Sequence, residues 1–102
     1  MALELKPFDV ADHLTDHDVA AEYLRLALES RDSREIVMAL ADVSRARGGV
    51  AQLATDTGLP LTTLKQVFSE EGNPDLKTLV KIFDALGVKL TISTGSPEPI
   101  AA

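Results

Sequence analysis

Val50-Ala51-Gln52-Leu53-Ala54-Thr55-Asp56-Thr57-Gly58-Leu59-Pro60-Leu61-Thr62-Thr63-Leu64-Lys65-Gln66-Val67 is the stretch that decides the fold. Gly58 stands where a tight reversal between two short helices needs a left-handed backbone, which glycine adopts without penalty. Ala54 is small, so the second helix can approach the first there. Leu53, Leu59, Leu64 and Val67 are spaced to fill the angle between the two. Thr62, Thr63, Lys65, Gln66 and Ser69 then point outward. The pattern predicts a helix-turn-helix over about residues 50–69.

Three further helices and a strand follow from the flanking sequence. Thr15 or Asp16 caps a first helix to about Ser30, with Val19, Tyr23, Leu24, Ala27 and Leu28 on its buried face. Asp32 or Ser33 caps a second, from about Arg34 to Arg47, with the stripe Ile36, Leu40, Val43 and Val37 beside it; Gly48-Gly49 ends it. The helix that opens near Pro60 runs to Ser69 or Glu70, and Gly72 ends it. Asn73-Pro74 signals a fifth helix, Pro74–Leu86: a capping side chain, then proline in the first turn. Leu76, Leu79, Val80, Phe83 and Leu86 form its apolar face. Val88-Lys89-Leu90-Thr91-Ile92-Ser93 alternates as a strand does, and needs a mate from residues 2–6 or from another subunit.

The expected architecture is therefore all-α: a five-helix, repressor-like domain over residues 16–93 with a short C-terminal β-strand. Residues 1–15 form an arm before it and residues 94–102 a mobile tail after it. At 102 residues the chain is one domain, and with only 4% aromatic residues its core must be aliphatic. The absence of cysteine excludes disulfides, thiolate metal sites and cysteine nucleophiles, and suits a reducing cytoplasm. No apolar run approaches a membrane span, and no signal peptide precedes the domain.

An outward face free of acids between Pro60 and Ser69 points to nucleic acid. In helix-turn-helix proteins of the repressor type the second helix enters the major groove. Gln66 matches an adenine edge, Lys65 a guanine or a phosphate, and Thr62 and Thr63 a phosphate or a thymine methyl. Leu61 either packs internally or touches a thymine methyl. Asn73, with the amides that open the fifth helix, suits a backbone phosphate, or else is simply a helix cap; Lys77 is a further candidate DNA contact. The net charge of −6 opposes this reading, because phosphate neutralisation supplies much of DNA affinity. Its distribution relieves the conflict: acids crowd into residues 4–42, whereas Arg45–Ser69 holds Arg45, Arg47 and Lys65 against Asp56 alone. Modest affinity per monomer then calls for a homodimer reading two major grooves about 34 Å apart.

The chain resembles the addiction-module antidote proteins, the HigA-like antitoxins of the Xre-type helix-turn-helix group, over about residues 7–92. The resemblance rests on Phe8-Asp9-Val10-Ala11-Asp12-His13-Leu14, Ala21-Glu22-Tyr23-Leu24, Ala27-Leu28-Glu29 and Ala39-Leu40-Ala41-Asp42-Val43-Ser44-Arg45-Ala46-Arg47-Gly48. It continues through Leu53-Ala54, Thr57-Gly58-Leu59, Glu71-Gly72-Asn73-Pro74-Asp75-Leu76-Lys77-Thr78-Leu79 and Ala85-Leu86-Gly87, the Gly-Asn-Pro turn being its most specific piece. It implies a type II antitoxin that binds a RelE-like ribonuclease toxin and represses its own operon as a dimer on double-stranded operator DNA. The reading helix departs from the family: Pro60-Leu61-Thr62-Thr63-Leu64-Lys65-Gln66 stands where Ser-Arg-Glu-Ser-Leu-Tyr-Lys is frequent, so base specificity does not carry over. Asp9, Asp12, Asp16 and Asp18 offer a complementary surface to a basic toxin, or simply a solvated acidic face.

Two other readings stand beside this one: a stand-alone repressor without a toxin, and a protein-interaction domain with no DNA role. An enzyme is not expected, and no cofactor is implied. His13 and His17 have the i, i+4 spacing of a zinc pair but straddle a helix start, and neither an HExxH motif nor a glycine-rich phosphate loop is present.

Overall fold

A computed structural model describes residues 10–93. A short 3-10 turn (Val10–His13) leads into α1 (His17–Glu29), α2 (Ser33–Ala46), α3 (Gly49–Thr57), α4 (Leu61–Val67) and α5 (Leu76–Ala85). The all-α architecture is as expected. The tail, residues 94–102, and the first nine residues of the expected arm lie outside the described residues.

Local capping chemistry sets most boundaries. Asp16 Oδ1 accepts the amides of Asp18 at 2.7 Å and Val19 at 3.3 Å and so opens α1. Asp32 Oδ1 accepts the Arg34 amide at 2.9 Å and opens α2. Between them, Ser30 Oγ donates to the Ala27 carbonyl and accepts the Asp32 amide, closing one helix and entering the next. Gly48, at φ 99°, stops α2 in the left-handed region.

The core draws on all five α-helices. Leu14, Ala20, Leu24, Leu40, Val43, Leu53, Leu64, Val67, Ile82, Phe83 and Leu86 bury together. α2 packs on α1, on the 3-10 turn and on α3, and α3 packs in turn on α4 and α5. α2 and α3 are thus the hub. Leu14 is fully buried, so the core begins inside the stretch expected to be an arm.

The apolar faces are rotated from the expected ones. On α1 the buried residues are Ala20 and Leu24, while Val19 is 45% exposed and Leu28 39% exposed. On α5 Ile82 is fully buried, yet Leu76 is 72% exposed and Val80 41% exposed. Both helices carry more apolar residues than one face can bury, and periodicity does not say which edge of a wide stripe meets the core.

Two expected elements are corrected. There is no strand among the described residues: residues 88–91 lie along α1, lining a cleft with Ala21, Leu24 and Leu28, and Val88 closes α5 by donating to the Phe83 carbonyl. A strand exists only when paired, and no described segment pairs with 88–93. The fifth helix starts at Leu76, capped by Asp75, and neither Asn73 nor Pro74 belongs to its first turn.

Two polar links tie the helices together. The Tyr23 hydroxyl donates to Asp42 Oδ2 at 2.7 Å across the α1–α2 seam. Arg47, at the end of α2, donates from Nη1 to the Leu86 carbonyl at 3.2 Å and to His17 Nε2 at 2.9 Å. A guanidinium cannot accept, so the imidazole nitrogen does. Arg47 Nε and Nη2 are buried with no hydrogen-bond partner.

Both links are testable. Burial, then the bond to Asp42, pushes the Tyr23 phenol up to about 12. A raised value means that this stabilisation is complete below the ordinary tyrosine range near pH 10 and is lost as pH rises through about 12. Tyr23 is the single tyrosine of a chain with no tryptophan, so ultraviolet absorbance titration reads it alone. A midpoint at about 10 would show that the phenol is neither buried nor bonded. Arg47→Met keeps the aliphatic stem and removes both charge-assisted bonds, and it should cost about 1–3 kcal/mol in urea unfolding. A neutral result would mean that the cost of the unpartnered Nε and Nη2 offsets those bonds.

Candidate functional site

α3 and α4 are joined by Gly58, Leu59 and Pro60. Gly58 takes φ 76° and donates its amide to the Ala54 carbonyl at 2.9 Å, closing α3. Thr57 Oγ1 donates to the Leu53 carbonyl at 2.7 Å and accepts the Leu59 amide, which fixes how the chain leaves the turn. Leu53, Leu64 and Val67 are buried, and Ala54 and Leu59 pack half-buried against the same core. This packing presents one side of α4 outward and holds the other down.

The outward residues are distributed as follows. Thr62, Lys65, Gln66 and Ser69 are exposed, and Thr63 is half-buried. Leu61 is 38% exposed. Asn73 and Lys77 are exposed beyond the following turn. Thr63, Gln66 and Asn73 line one groove of about 370 Å3, together with Gly72 and Thr78. Thr62, Lys65 and Lys77 lie outside that lining. Ser69 is turned elsewhere: its hydroxyl donates to the Gln66 carbonyl at 2.7 Å, and it lines a separate cleft with Arg34, Val37 and Met38 of α2. This bond belongs to the early end of α4, which stops at Val67 rather than at Ser69 or Glu70.

Gly72 makes the groove possible. A Cβ on Gly72 would stand 1.9 Å from the Val67 carbonyl oxygen, so only glycine lets the chain fold back against the end of α4. Asn73 is thereby brought beside Gln66 instead of over the start of α5.

The electrostatics of the groove come from residues that the sequence reading did not single out. Its charged lining groups are Glu71 and Asp75. Asp75 Oδ1 accepts the Thr78 amide at 2.9 Å. Bonding from Thr78, by side chain and then by backbone, holds the Asp75 carboxyl below the usual carboxylate range, and Lys77 adds to the effect. The start of α5, where the sequence suggested a phosphate held by Asn73 and the helix amides, is thus capped by the Asp75 carboxylate at the Thr78 amide. The signal was present as Asp75-x-x-Thr78, but Asn73-Pro74 looked equally like a helix entry. His13 and His17 flank the start of α1, and no cluster of three metal-ligating residues occurs among the described residues.

Residues 4–94 match the family described as probable addiction module antidote proteins. The chain belongs to that family. An uncharacterised protein of Haemophilus influenzae is 36% identical over 92 residues, covering 90% of this chain and 94% of the relative. No solved structure matches. Membership implies a toxin as partner, and no described helix is long and apolar enough to cross a membrane.

The two glycines of this antidote scaffold should respond differently to alanine. At Gly58 a Cβ meets nothing within 4 Å, so Gly58→Ala bears only the left-handed backbone penalty of about 1–2 kcal/mol. Gly72→Ala drives a methyl into a backbone carbonyl and should cost about 3 kcal/mol or more in urea unfolding. Equal losses would mean that the 69–73 turn is looser than described.

Proposed function

We propose that the chain is a type II antitoxin that neutralises a RelE-like ribonuclease toxin and, as a homodimer, represses its own operon through the α3-turn-α4 unit acting as a helix-turn-helix. The observation that carries the DNA half is that Thr63 and Gln66 of α4 and Asn73 of the next turn share one groove, with Lys65 and Lys77 exposed nearby. Gln66 has the donor and acceptor pair that matches an adenine edge, and the threonines offer a methyl and a hydroxyl to thymine or phosphate. Lys65 and Lys77 supply phosphate contacts. Ser69 contributes at most a rim contact, because its hydroxyl is engaged with α4. The dimer is supported by Leu90 and Ile92, which are 45% and 100% exposed on a segment with alternating pattern. No enzymatic role or cofactor is part of this reading, and its setting is the cytoplasm.

A second reading, a protein-interaction domain without a DNA role, draws on Glu71 and Asp75, which place two carboxylates where phosphate would approach. A stand-alone repressor differs only in having no toxin encoded beside it.

Binding to the DNA directly upstream of the chain's own reading frame, measured across a salt series, separates these readings. Selective binding that weakens with salt is expected, with a two-half-site fragment bound far more tightly than a single half-site. Gln66→Ala should lose about 1–3 kcal/mol of selectivity. Lys65→Ala should weaken all sequences alike and flatten the salt slope by about one. Glu71→Gln should tighten binding by removing a repelling charge. Absence of selective binding at low salt would overturn the repressor half of the proposal.

A further inference from the structure

The N-terminal helix pair carries an apolar surface that the DNA reading does not use. On α1, Val19, Tyr23 and Leu26 follow i, i+4, i+7 spacing, one step round the helix from the buried Ala20 and Leu24. On α2, Met38 sits in the matching stripe. Val19 is 45% exposed, and Leu26 and Met38 are each 54% exposed. These residues line two adjoining clefts of about 320 Å3 and about 390 Å3 that share Tyr23 and Leu26. Single exposed leucines are ordinary, whereas a continuous apolar furrow along a helix seam is characteristic of an interaction surface.

The rim has one sign. Its charged lining groups are Asp18, Glu22, Glu35 and Asp42, all acidic, and neither cleft is lined by a lysine, arginine or histidine. Glu22 shares the Arg25 guanidinium with Glu29, which holds its carboxyl below the usual range, and Asp42 is bonded by Arg45 at 2.8 Å and by the Tyr23 hydroxyl. Asp18 and Glu35 remain exposed at opposite sides of the furrow. Of the four acids expected to face a toxin, Asp18 lines the furrow, Asp16 caps α1, Asp12 is exposed on the 3-10 turn, and Asp9 lies outside the described residues.

We infer that the α1–α2 furrow is the docking site for the toxin, and that it takes a basic segment whose apolar side chains seat between Leu26 and Met38 while its cations meet Asp18 and Glu35. The inference rests on the antitoxin reading above. Charge complementarity selects the occupant. A second copy of this chain would bring one acidic rim against another, whereas a protein built to bind RNA carries cations on its surface. Tyr23 anchors the floor, with its hydroxyl already satisfied by Asp42, so a partner buries its ring without stranding a polar group. Met38 gives the furrow an adaptable wall.

The test is titration of the full chain with the purified toxin encoded beside it, with upstream DNA binding and the thermal midpoint as controls. Leu26→Arg and Met38→Arg place cations on exposed positions and should leave both controls unchanged. Together they should weaken toxin binding by about 30-fold or more. Asp18→Asn with Glu35→Gln should slow association and reduce its salt dependence while changing the dissociation rate little. Toxin binding unchanged in the arginine variants would overturn the furrow and leave the antitoxin reading standing. If those variants lose self-association instead, the furrow belongs to a second copy; if they lose thermal stability, it belongs to one of the chain's own termini. If the unaltered chain fails to bind the toxin, the antitoxin reading and this inference fall together.

Discussion

The bond pair made by Arg47 is the constraint on which the arrangement of helices depends. Its guanidinium leaves the end of α2 and reaches the first residue of α1 and the carbonyl of Leu86, the residue that caps α5, joining elements far apart in sequence. A cation at the end of α5 also complements the negative pole of that helix. The geometry is tight. Gly87 lies so close to the His17 ring that a Cβ there would stand 3.1 Å from it. Two of the Arg47 guanidinium nitrogens, Nε and Nη2, are left without partners inside this junction. Buried unsatisfied donors cost free energy, which the two Arg47 bonds and the surrounding packing together offset. That packing is the aliphatic core, to which Leu14, Leu24, Leu40 and Leu86 belong.

With that corner fixed, α2 and α3 act as a hub that presents two chemically distinct surfaces. One is the acidic apolar furrow between α1 and α2. The other is the mixed polar face of α4 and the following turn. They meet along α2: Met38 borders the furrow and also the cleft that holds Phe68, Ser69 and Gly72. Arg34 spans that cleft by donating to the Glu70 carbonyl at 3.0 Å. The turn after α4, which brings Asn73 beside Gln66, is thus held to the same helix that walls the furrow.

Much of this was legible in the sequence because it is decided locally. Asp16 and Asp32 announce α1 and α2 by capping chemistry that needs only neighbouring amides. Gly48 and Gly58 mark reversals that demand positive φ. Other features were illegible because they are decided by tertiary neighbours. The α1 stripe is wide enough to serve two faces, and only the position of α2 assigns Ala20 and Leu24 to the core and Val19 and Leu26 to the surface. Asn73 and Asp75 are both competent caps, and the choice falls to Asp75 because Gly72 must press against the Val67 carbonyl, which carries Asn73 away from α5. Residues 88–93 alternate as a strand does, but alternation states only that two faces differ. Without a paired edge, Val88 turns inward to close α5 and the segment follows α1. Of the candidate site, the outward set on α4 was readable from the pattern around Gly58. The acids that share its groove, Glu71 and Asp75, were not, because they are brought there by a turn whose course a single steric contact decides.

The charge of the chain imposes a division of labour on the proposed function. At net −6 the molecule as a whole repels a polyanion, so long-range attraction does not bring it to DNA. Affinity on the α4 face must then come from short-range contacts by few groups, doubled by a dimer, and such binding is weak enough to respond to small changes. The same charge works in favour of the proposed docking at the furrow, where a basic partner would be drawn in over the acidic half of the chain and desolvation of Leu26 and Met38 would hold it. A chain with these two surfaces meets a cationic protein readily and nucleic acid reluctantly. That ordering suits the proposed antitoxin, whose first task on this reading is capture of its partner and whose second is control of its own synthesis.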